Sequence, residues 1–272
     1  MEMDSDSNKN IKNQVKGFWN EKTCGTWEID EKKFSSQYFD SIEEDRYVKQ
    51  PEIFAFAQFT RFSGKKVLEV GVGAGTDFMQ WTRAGCITYG IDLTDESIEH
   101  LKHRLELEGL SAKDFEVADS EALPYSNDQF DLVYSWGVIH HTPNTEAALK
   151  EIIRVCKPGG KAKIMVYHRR SLLAYFFWIK HTILKGKFNK SVRWVLYNHM
   201  ESIGTKAFTR REILEMLRNE PVKDIIIKPV LSYYDKLERF GTFFRAIAKV
   251  MAYLLGGDRV GWFLTIELTK KT

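Results

Sequence analysis

The sequence predicts an α/β fold built on a mainly parallel sheet, and three observations carry this prediction. Short β-branched apolar runs alternate with segments of helical apolar spacing, as in parallel strands joined by crossover helices. The first of these runs leads directly into three closely spaced glycines, Gly71, Gly73 and Gly75. A second run ends in Asp92, 17 residues beyond the last glycine. Together they indicate a doubly wound, Rossmann-like sheet with a ligand site at the carboxyl ends of its strands.

Seven strands and the helices between them follow from the same reading. The strands are predicted at 67–70, 87–91, 114–118, 130–135, 161–167, 222–227 and 262–268. Helices are predicted at 51–62, 78–84, 97–108 with Thr94 as N-cap, 145–156, and 209–219 with Thr209 as N-cap. The segment 157–160, Lys-Pro-Gly-Gly, is expected to be the turn into the fifth strand.

The remaining segments extend this core into three regions. Residues 1–14 are polar and are predicted to be a disordered tail, and residues 15–62 are rich in aromatics and are predicted to be a helical lid. The main domain then covers 63–272, with helical insertions at about 171–206 and 231–258. In the second insertion, apolar residues recur at helical spacing; they are Phe243, Phe244, Ile247, Val250, Met251 and Leu254.

Composition restricts the class of protein. The chain has 272 residues and 43% hydrophobic content, enough for one large core. Its three cysteines, Cys24, Cys86 and Cys156, have neither disulfide-framework nor zinc-site spacing. The first ten residues do not resemble a signal peptide, and no apolar run is long enough to span a membrane. A cytoplasmic location is therefore expected.

Charge is distributed unevenly between the two parts of the chain. Residues 161–272 contain 22 Lys and Arg but only 9 Asp and Glu, whereas residues 1–160 contain 18 and 28. Residues 161–200 contain nine basic residues, no acidic residue and several aromatics. This pattern favours an anionic, partly apolar partner for the second part of the chain.

The glycine segment is more specific when it is read with its neighbours. Residues 69–75 read Glu-Val-Gly-Val-Gly-Ala-Gly, a GxGxG spacing preceded by Glu69. With Asp92, this segment resembles the first motif of class I S-adenosylmethionine-dependent methyltransferases. Residues 130–144, FDLVYSWGVIHHTPN, resemble the ubiquinone-biosynthesis group of these enzymes, the type 11 methyltransferases. The resemblance is close over residues 65–167 and looser from 208 onward.

The resemblance implies S-adenosylmethionine as cofactor, S-adenosylhomocysteine as product, and a set of binding residues. Asp92 would hold the ribose, Asp119 would accept from the adenine amine, and Ser120 would supply the adjacent backbone contact. The implied cofactor-binding residues are Glu69, Gly71, Gly73, Gly75, Asp92, Leu93, Asp119, Ser120, Ser135 and Trp136. The structural alternatives are a tight βα turn at the glycines, a solvated Asp92, and an Asx-turn at Asp119.

Acceptor and catalytic residues are expected near the same sheet edge. Candidates for a general base are His140, His141, Tyr167 and His168, with hydrogen-bonded structural histidines as the alternative. Arg169 and Arg170 are suited to a carboxylate or phosphate, unless they are ordinary basic surface. Tyr38, Arg46 and Tyr47 of the lid would reach the cofactor or the substrate, or else the lid aromatics only attach an extra helix. Two adjacent histidines cannot share a strand face, so no metal site is expected.

The function that follows is methyl transfer to a small-molecule acceptor, anionic or amphipathic, with no nucleic-acid partner. One alternative is RNA methylation, which the basic second part would suit. The sequence lacks the Asn/Asp-Pro-Pro-Tyr motif and the paired catalytic cysteines of such enzymes. Another alternative is a non-catalytic cofactor-binding protein or a peripheral membrane partner. Acceptor identity, the methylated atom and a homodimeric state stay open.

Overall fold

The computed structural model describes residues 5–21, 23–237 and 240–272. Seven strands form one sheet in the order β3-β2-β1-β4-β5-β7-β6, in which only β7 runs antiparallel to its neighbours. The strands are β1 (Lys66–Val70), β2 (Ile87–Asp92), β3 (Asp114–Val117), β4 (Phe130–Trp136), β5 (Cys156–Tyr167), β6 (Val222–Val230) and β7 (Phe263–Lys270). The predicted doubly wound, mainly parallel sheet is confirmed.

Helices cover both faces of this sheet. They are α1 (Ser5–Glu21), α2 (Ser36–Lys49), α3 (Glu52–Ala57), α4 (Thr76–Arg83), α5 (Asp95–Glu108), α6 (Thr145–Val155), α7 (Leu172–His181), α8 (Val192–His199), α9 (Arg210–Met216), α10 (Thr242–Leu255) and α11 (Gly257–Val260). One core cluster packs α6 and α9 against the strands. A second packs α3, α4, α7 and α8 on the other side. None of the helices in the described ranges is both long and apolar enough to cross a membrane.

Local capping explains where two of the predicted helices begin. The Thr94 side chain accepts from the Ser97 backbone N–H at the start of α5. Thr209 forms a reciprocal capping box with Glu212 at the start of α9. Both N-cap predictions are confirmed. A hydroxyl at this position accepts a hydrogen bond from one of the free N–H groups of the first turn and so stabilises the start of the helix.

Two predicted boundaries are wrong. The helix expected over 51–62 is broken at Gln58, whose φ of 60° is left-handed, into α3 and a 3₁₀ turn at Phe59–Phe62. β5 begins at Cys156, before the predicted turn. Cys156 already opposes Phe130, and the segment 157–160 bulges out before Lys161 opposes Leu132.

The predicted disordered tail is also wrong for the residues that the structure describes. Residues 5–14 belong to α1, while residues 1–4 lie outside the described residues. Tertiary contacts hold this polar helix in place, since Val15 is buried and Lys12 forms ion pairs with Asp119 and Glu121. The helical lid therefore starts ten residues earlier than expected, at Ser5 rather than Val15.

Candidate active site

The glycine loop after β1 has a backbone conformation that residues with side chains rarely adopt. Gly71 has a φ of 84°, and a Cβ there would lie 2.2 Å from a methyl carbon of Val138. The Gly73 N–H donates to Asp92 Oδ2 at 3.0 Å. Asp92 Oδ1 accepts from the Thr94 N–H and hydroxyl. One carboxylate thus fixes the glycine loop and the start of α5, and burial raises the pKa of Asp92.

A cleft, the first pocket, opens beside this loop. The predicted cofactor residues that line it are Gly71, Gly73, Asp92, Leu93, Asp119, Ser120 and Trp136. The other three lie behind the wall. Glu69 and Ser135 are buried under the cleft, and a Cβ at Gly75 would be 3.1 Å from Leu101, so Gly75 serves the packing of α4 on α5.

Asp119 is held from two sides at the far end of this first pocket. Its Oδ1 accepts from the Glu121 N–H at 2.9 Å, as in the Asx-turn alternative. Its Oδ2 lies 2.5 Å from Lys12 Nζ, and the same ammonium lies 2.8 Å from Glu121 Oε2. Lys12, Val15 and Trp19 also line the pocket, so α1 forms one of its walls.

A buried ion pair sits where the lid meets the glycine loop. Arg46 donates to both oxygens of Asp77, from Nε at 2.9 Å and from Nη2 at 2.5 Å. The hydroxyls of Tyr47 and Tyr134 donate to the same carboxylate at 3.1 and 2.9 Å. Arg46 lines the cleft as predicted, whereas Tyr47 does not. Asp77 was not among the predicted site residues, although an acidic residue in the first helical turn after the glycines could have indicated it.

Tyr38 lies elsewhere. Its hydroxyl is 2.9 Å from His100 Nε2, and its ring packs in a small buried cluster with Phe39 and Ile42. It lines neither pocket. This position supports the alternative stated for the lid aromatics, that they attach α2 to the domain.

A second pocket adjoins the first. The residues common to both walls are Trp19, Cys24, Arg46, Trp136, Gly137 and His141. The second pocket is closed by residues of the two insertions, among them Leu173, Phe177, Met200, Tyr234 and Phe240. Two ligands bound in these pockets would meet at the shared wall.

Glu201 brings a carboxylate into the second pocket. The Tyr167 hydroxyl lies 3.0 Å from Glu201 Oε1 and 2.9 Å from Oε2, and His141 Nε2 lies 3.4 Å from Oε2. His141 Nδ1 is 3.0 Å from the Ser202 hydroxyl and 3.1 Å from that of Thr205. Burial, and then the Glu201 charge, hold the pKa of Tyr167 well above its usual range, so this phenol stays a donor.

The four candidate bases therefore occupy different surroundings. His141 and Tyr167 line the second pocket. His140 is fully buried behind them, and neither of its ring nitrogens has a hydrogen-bond partner in the described part of the chain. Burial lowers the pKa of His140 well below its usual range. His168 lies outside both pockets, with Nδ1 3.0 Å from the Gly261 carbonyl oxygen.

His140, His141 and Glu201 each place one possible ligand atom within 4.8 Å of the others. Two imidazoles and a carboxylate are a donor set used for Zn²⁺ and Fe²⁺. This grouping has no signal in the sequence, because Glu201 is 60 residues away from His141 along the chain. The expectation of a metal-free site stays a prediction.

The two arginines expected to bind the acceptor do not line either pocket. Arg169 Nη2 donates to Glu212 Oε2 at 2.6 Å, and its Nη1 donates to the Ala207 carbonyl at 3.1 Å. These contacts tie the end of β5 to the start of α9. Arg170 is exposed. The alternative, an ordinary basic surface, agrees with the position of Arg170, whereas Arg169 belongs to a partly buried structural ion pair.

The cations that do line the second pocket are already paired. Arg46 is bound to Asp77, and Lys49 Nζ lies 2.9 Å from Glu28 Oε2 and 2.7 Å from Asp45 Oδ1. Glu201 has only Tyr167 and His141 as partners among the contacts described above. The described wall of this pocket therefore carries more negative than positive charge.

Known proteins resemble this chain in its central part. Residues 68–164 match the family model of the methyltransferase domain. Methyltransferase GfsG of Streptomyces halstedii is 33% identical over 104 residues, which are 38% of this chain and 37% of that protein. The phthiotriol/phenolphthiotriol dimycocerosates methyltransferase of Mycobacterium tuberculosis is 37% identical over 99 residues, 36% of each chain. The chain thus spans little more than a third of these relatives' length.

Solved structures share the fold over nearly the whole chain. Geranyl diphosphate C-methyltransferase from Streptomyces coelicolor, in complex with Mg²⁺, geranyl diphosphate and S-adenosylhomocysteine, has a TM-score of 0.62 at 14% identity and covers 96% of this chain and 98% of its own. Phosphoethanolamine N-methyltransferase 2 of Haemonchus contortus, in complex with S-adenosylmethionine, has a TM-score of 0.60 at 18% identity, covering 95% and 60%. At these identities the likeness concerns the fold.

The strand order, the glycine loop with its fixed Asp92 and the matched segment agree with one another. They identify residues 68–164 as a methyltransferase domain of the class I, S-adenosylmethionine-dependent type.

Proposed function

We propose that this protein transfers a methyl group from S-adenosylmethionine, held in the first pocket, to a small amphipathic molecule held in the second. The observation that carries the proposal is the wall common to both pockets, where Trp136, Gly137 and His141 stand between them. A donor and an acceptor on its two sides would be aligned at short distance, which is the main requirement of such a displacement.

The residues present fit the cofactor. Gly73 lines the first pocket without a side chain, at a φ of 53°, and Asp92 fixes its N–H. Asp92 would hold the ribose hydroxyls and Asp119 the adenine amine, with Ser120 beside it. Bound there, S-adenosylmethionine supplies an electrophilic methyl group and a thioether leaving group.

The second pocket favours a particular acceptor chemistry. Its aromatic walls suit an apolar body; Tyr167 and Trp262, for example, stack at 4.2 Å. Its cations Arg46 and Lys49 are paired, so Glu201 gives it an excess of negative charge. An amine or a hydroxyl compound fits this field better than the anionic acceptor expected from the sequence. The negative charge of the walls would repel an RNA phosphate, which argues against RNA as the acceptor.

Glu201 is the group best placed to take the acceptor's proton. An ammonium or hydroxyl nucleophile must lose a proton to attack, and a carboxylate held by Tyr167 and beside His141 can receive it. S-adenosylmethionine held by Asp92 and Asp119 would supply the methyl group to this nucleophile, and its sulfur would keep the electron pair of the C–S bond that breaks.

The test is a screen of aromatic and alkyl amines, alcohols and carboxylates with radiolabelled cofactor. We expect methylation of amines or alcohols, and we expect Glu201→Gln to lower kcat/KM by about 100-fold or more, as for loss of a general base. Glu215→Gln, an exposed glutamate on α9, is the matched control. Retention of full activity in the Glu201 variant would remove it from the mechanism, and a preference for carboxylates would contradict the acceptor class.

A further inference from the structure

Helix α10 exposes the apolar stripe that a helix of this pattern normally buries. Its apolar residues at helical spacing, Ile247, Val250, Met251 and Leu254, are all exposed, while Ala248 is buried. Tyr253 and Leu254 are exposed by 87% and 69%. When the rest of the chain does not pack on the apolar face of an amphipathic helix, that face is suited to bind another protein or a membrane.

A second group of exposed apolar residues lies on the neighbouring insertion. α7 packs against α10, and the chain from the end of α7 onward exposes Ile179, Ile183, Leu184 and Phe188. Leu184 and Phe188 are exposed by 74% and 71%. Two insertions that are far apart in sequence thus meet and both present large apolar side chains outward.

Lysines occur in the sequence of both exposed segments. No Asp or Glu occurs in 161–200 or in 240–257. The exposed lysines among the apolar residues are Lys180, Lys185, Lys187 and Lys249. Apolar side chains surrounded by lysines match a bilayer that carries anionic headgroups, because the apolar groups enter the acyl boundary while the ammonium groups stay with the phosphates.

We propose that α10 and the segment 179–188 together form a membrane-binding surface that docks on anionic lipid bilayers. The same two insertions supply Leu173, Phe177 and Phe240 to the second pocket, so the surface lies on elements that also form the acceptor pocket. An amphipathic acceptor dissolved in the bilayer would then be close to its site.

The experiment is vesicle sedimentation with the full chain and does not depend on turnover. Vesicles of phosphatidylcholine alone are compared with vesicles containing about 30% phosphatidylglycerol. We expect binding to the anionic vesicles that weakens as salt is raised. Val250→Ser with Leu254→Ser should lower partitioning at least about tenfold, since two exposed aliphatic groups no longer enter the bilayer. Val48→Ser with Leu107→Ser, exposed by 70% and 50% on other helices, is the matched control and should bind as the wild type does.

A charge variant keeps the test independent of the α10 fold. Lys185→Gln with Lys187→Gln should lower binding to the anionic vesicles about tenfold and leave binding to phosphatidylcholine unchanged. Unfolding temperatures check that each variant is folded. Absence of vesicle binding by the wild type, or equal binding by the Val250 and Leu254 variant, would overturn the proposal. So would light scattering that shows a dimer which those substitutions dissociate, because a second copy of the chain would then cover the stripe.

Discussion

Asp92 stabilises two parts of the structure, because its two carboxylate oxygens accept hydrogen bonds from different residues. Oδ2 holds the Gly73 N–H, and Oδ1 holds Thr94 at the start of α5. A ribose would add a third demand on the same carboxylate. Removal of the side chain therefore releases the glycine loop as well as the cofactor contact.

We expect Asp92→Ala to weaken binding of S-adenosylhomocysteine by roughly 1 to 3 kcal/mol, the cost of a lost charge-assisted acceptor. Isothermal titration calorimetry measures this directly. Asp114→Asn is the control, since Asp114 is exposed at the start of β3 and lines neither pocket. An unchanged affinity in the Asp92 variant, or preferential binding of NAD, would contradict the assignment of the first pocket.

Among the secondary-structure elements, α1 is held in place by a small number of tertiary contacts. Its Lys12 bridges Asp119 and Glu121 with part-buried side chains, whereas its Lys16 pairs with the exposed Asp95. Exposed ion pairs contribute little to stability, and the part-buried pair is expected to contribute more. The two lysines of one helix thus form a matched pair for experiment.

Lys12→Gln should loosen α1 over the first pocket and speed dissociation of bound S-adenosylhomocysteine several-fold. Hydrogen exchange of the α1 amides should rise in parallel, because the helix opens more often once its bridge is lost. Lys16→Gln should change both rates much less. Equal effects of the two variants would mean that the bridge to Asp119 does not hold the helix.

The second insertion is attached to β7 through Asp235. Its Oδ2 accepts from the Ser232 N–H, the Ser232 hydroxyl and the Trp262 N–H. Burial nevertheless raises the pKa of Asp235 to about 6. The folded chain therefore binds this proton more tightly than the unfolded chain, in which Asp titrates near 4. The stabilisation by the proton is complete below about pH 4 and is lost as the pH rises through 6.

For Asp235→Asn, this proton-linked part of the pH dependence should disappear. Between pH 4 and 7, the free energy of unfolding of the wild type should fall relative to that of the variant by about 2 kcal/mol. Urea unfolding of both proteins across this range gives the difference. A difference that is constant with pH would show that Asp235 is ionised to the same extent in the folded and unfolded chains.

For the whole molecule, the sequence specified the sheet well and the acceptor site poorly. The strands, the glycine loop and Asp92 follow from local signals, since apolar runs and glycine spacing are decided within a few residues. α1 could not be predicted, because its order comes from partners such as Asp119 that lie about a hundred residues away. Glu201 could not be assigned either, since only the folded insertion brings it to Tyr167. Arg169 follows the end of β5 by two residues, but its side chain is paired with Glu212 and lines neither pocket.

Cofactor binding should stabilise the molecule as a unit, because the first pocket joins α1 to the ends of β1, β2 and β4. At about 100 times the dissociation constant, S-adenosylhomocysteine should add about 2.7 kcal/mol to the free energy of unfolding. Differential scanning fluorimetry should then record a melting temperature several degrees higher. Adenosine at the same concentration is the control. Failure of the product to stabilise the chain beyond adenosine would argue against a site for the complete cofactor.

The division between the two pockets also bears on how such proteins diversify. Only Trp136, Gly137 and His141 of the second pocket's wall come from residues 68–164, the segment shared with other methyltransferases. The lid, the two insertions and the last strands supply the other walls. Under the proposed function, mutation or exchange of these segments would remodel the acceptor pocket and leave the part of the cofactor pocket formed by residues 68–164 unchanged. New acceptors could then arise while the matched segment, which supplies three residues of the second pocket's wall, stays the same.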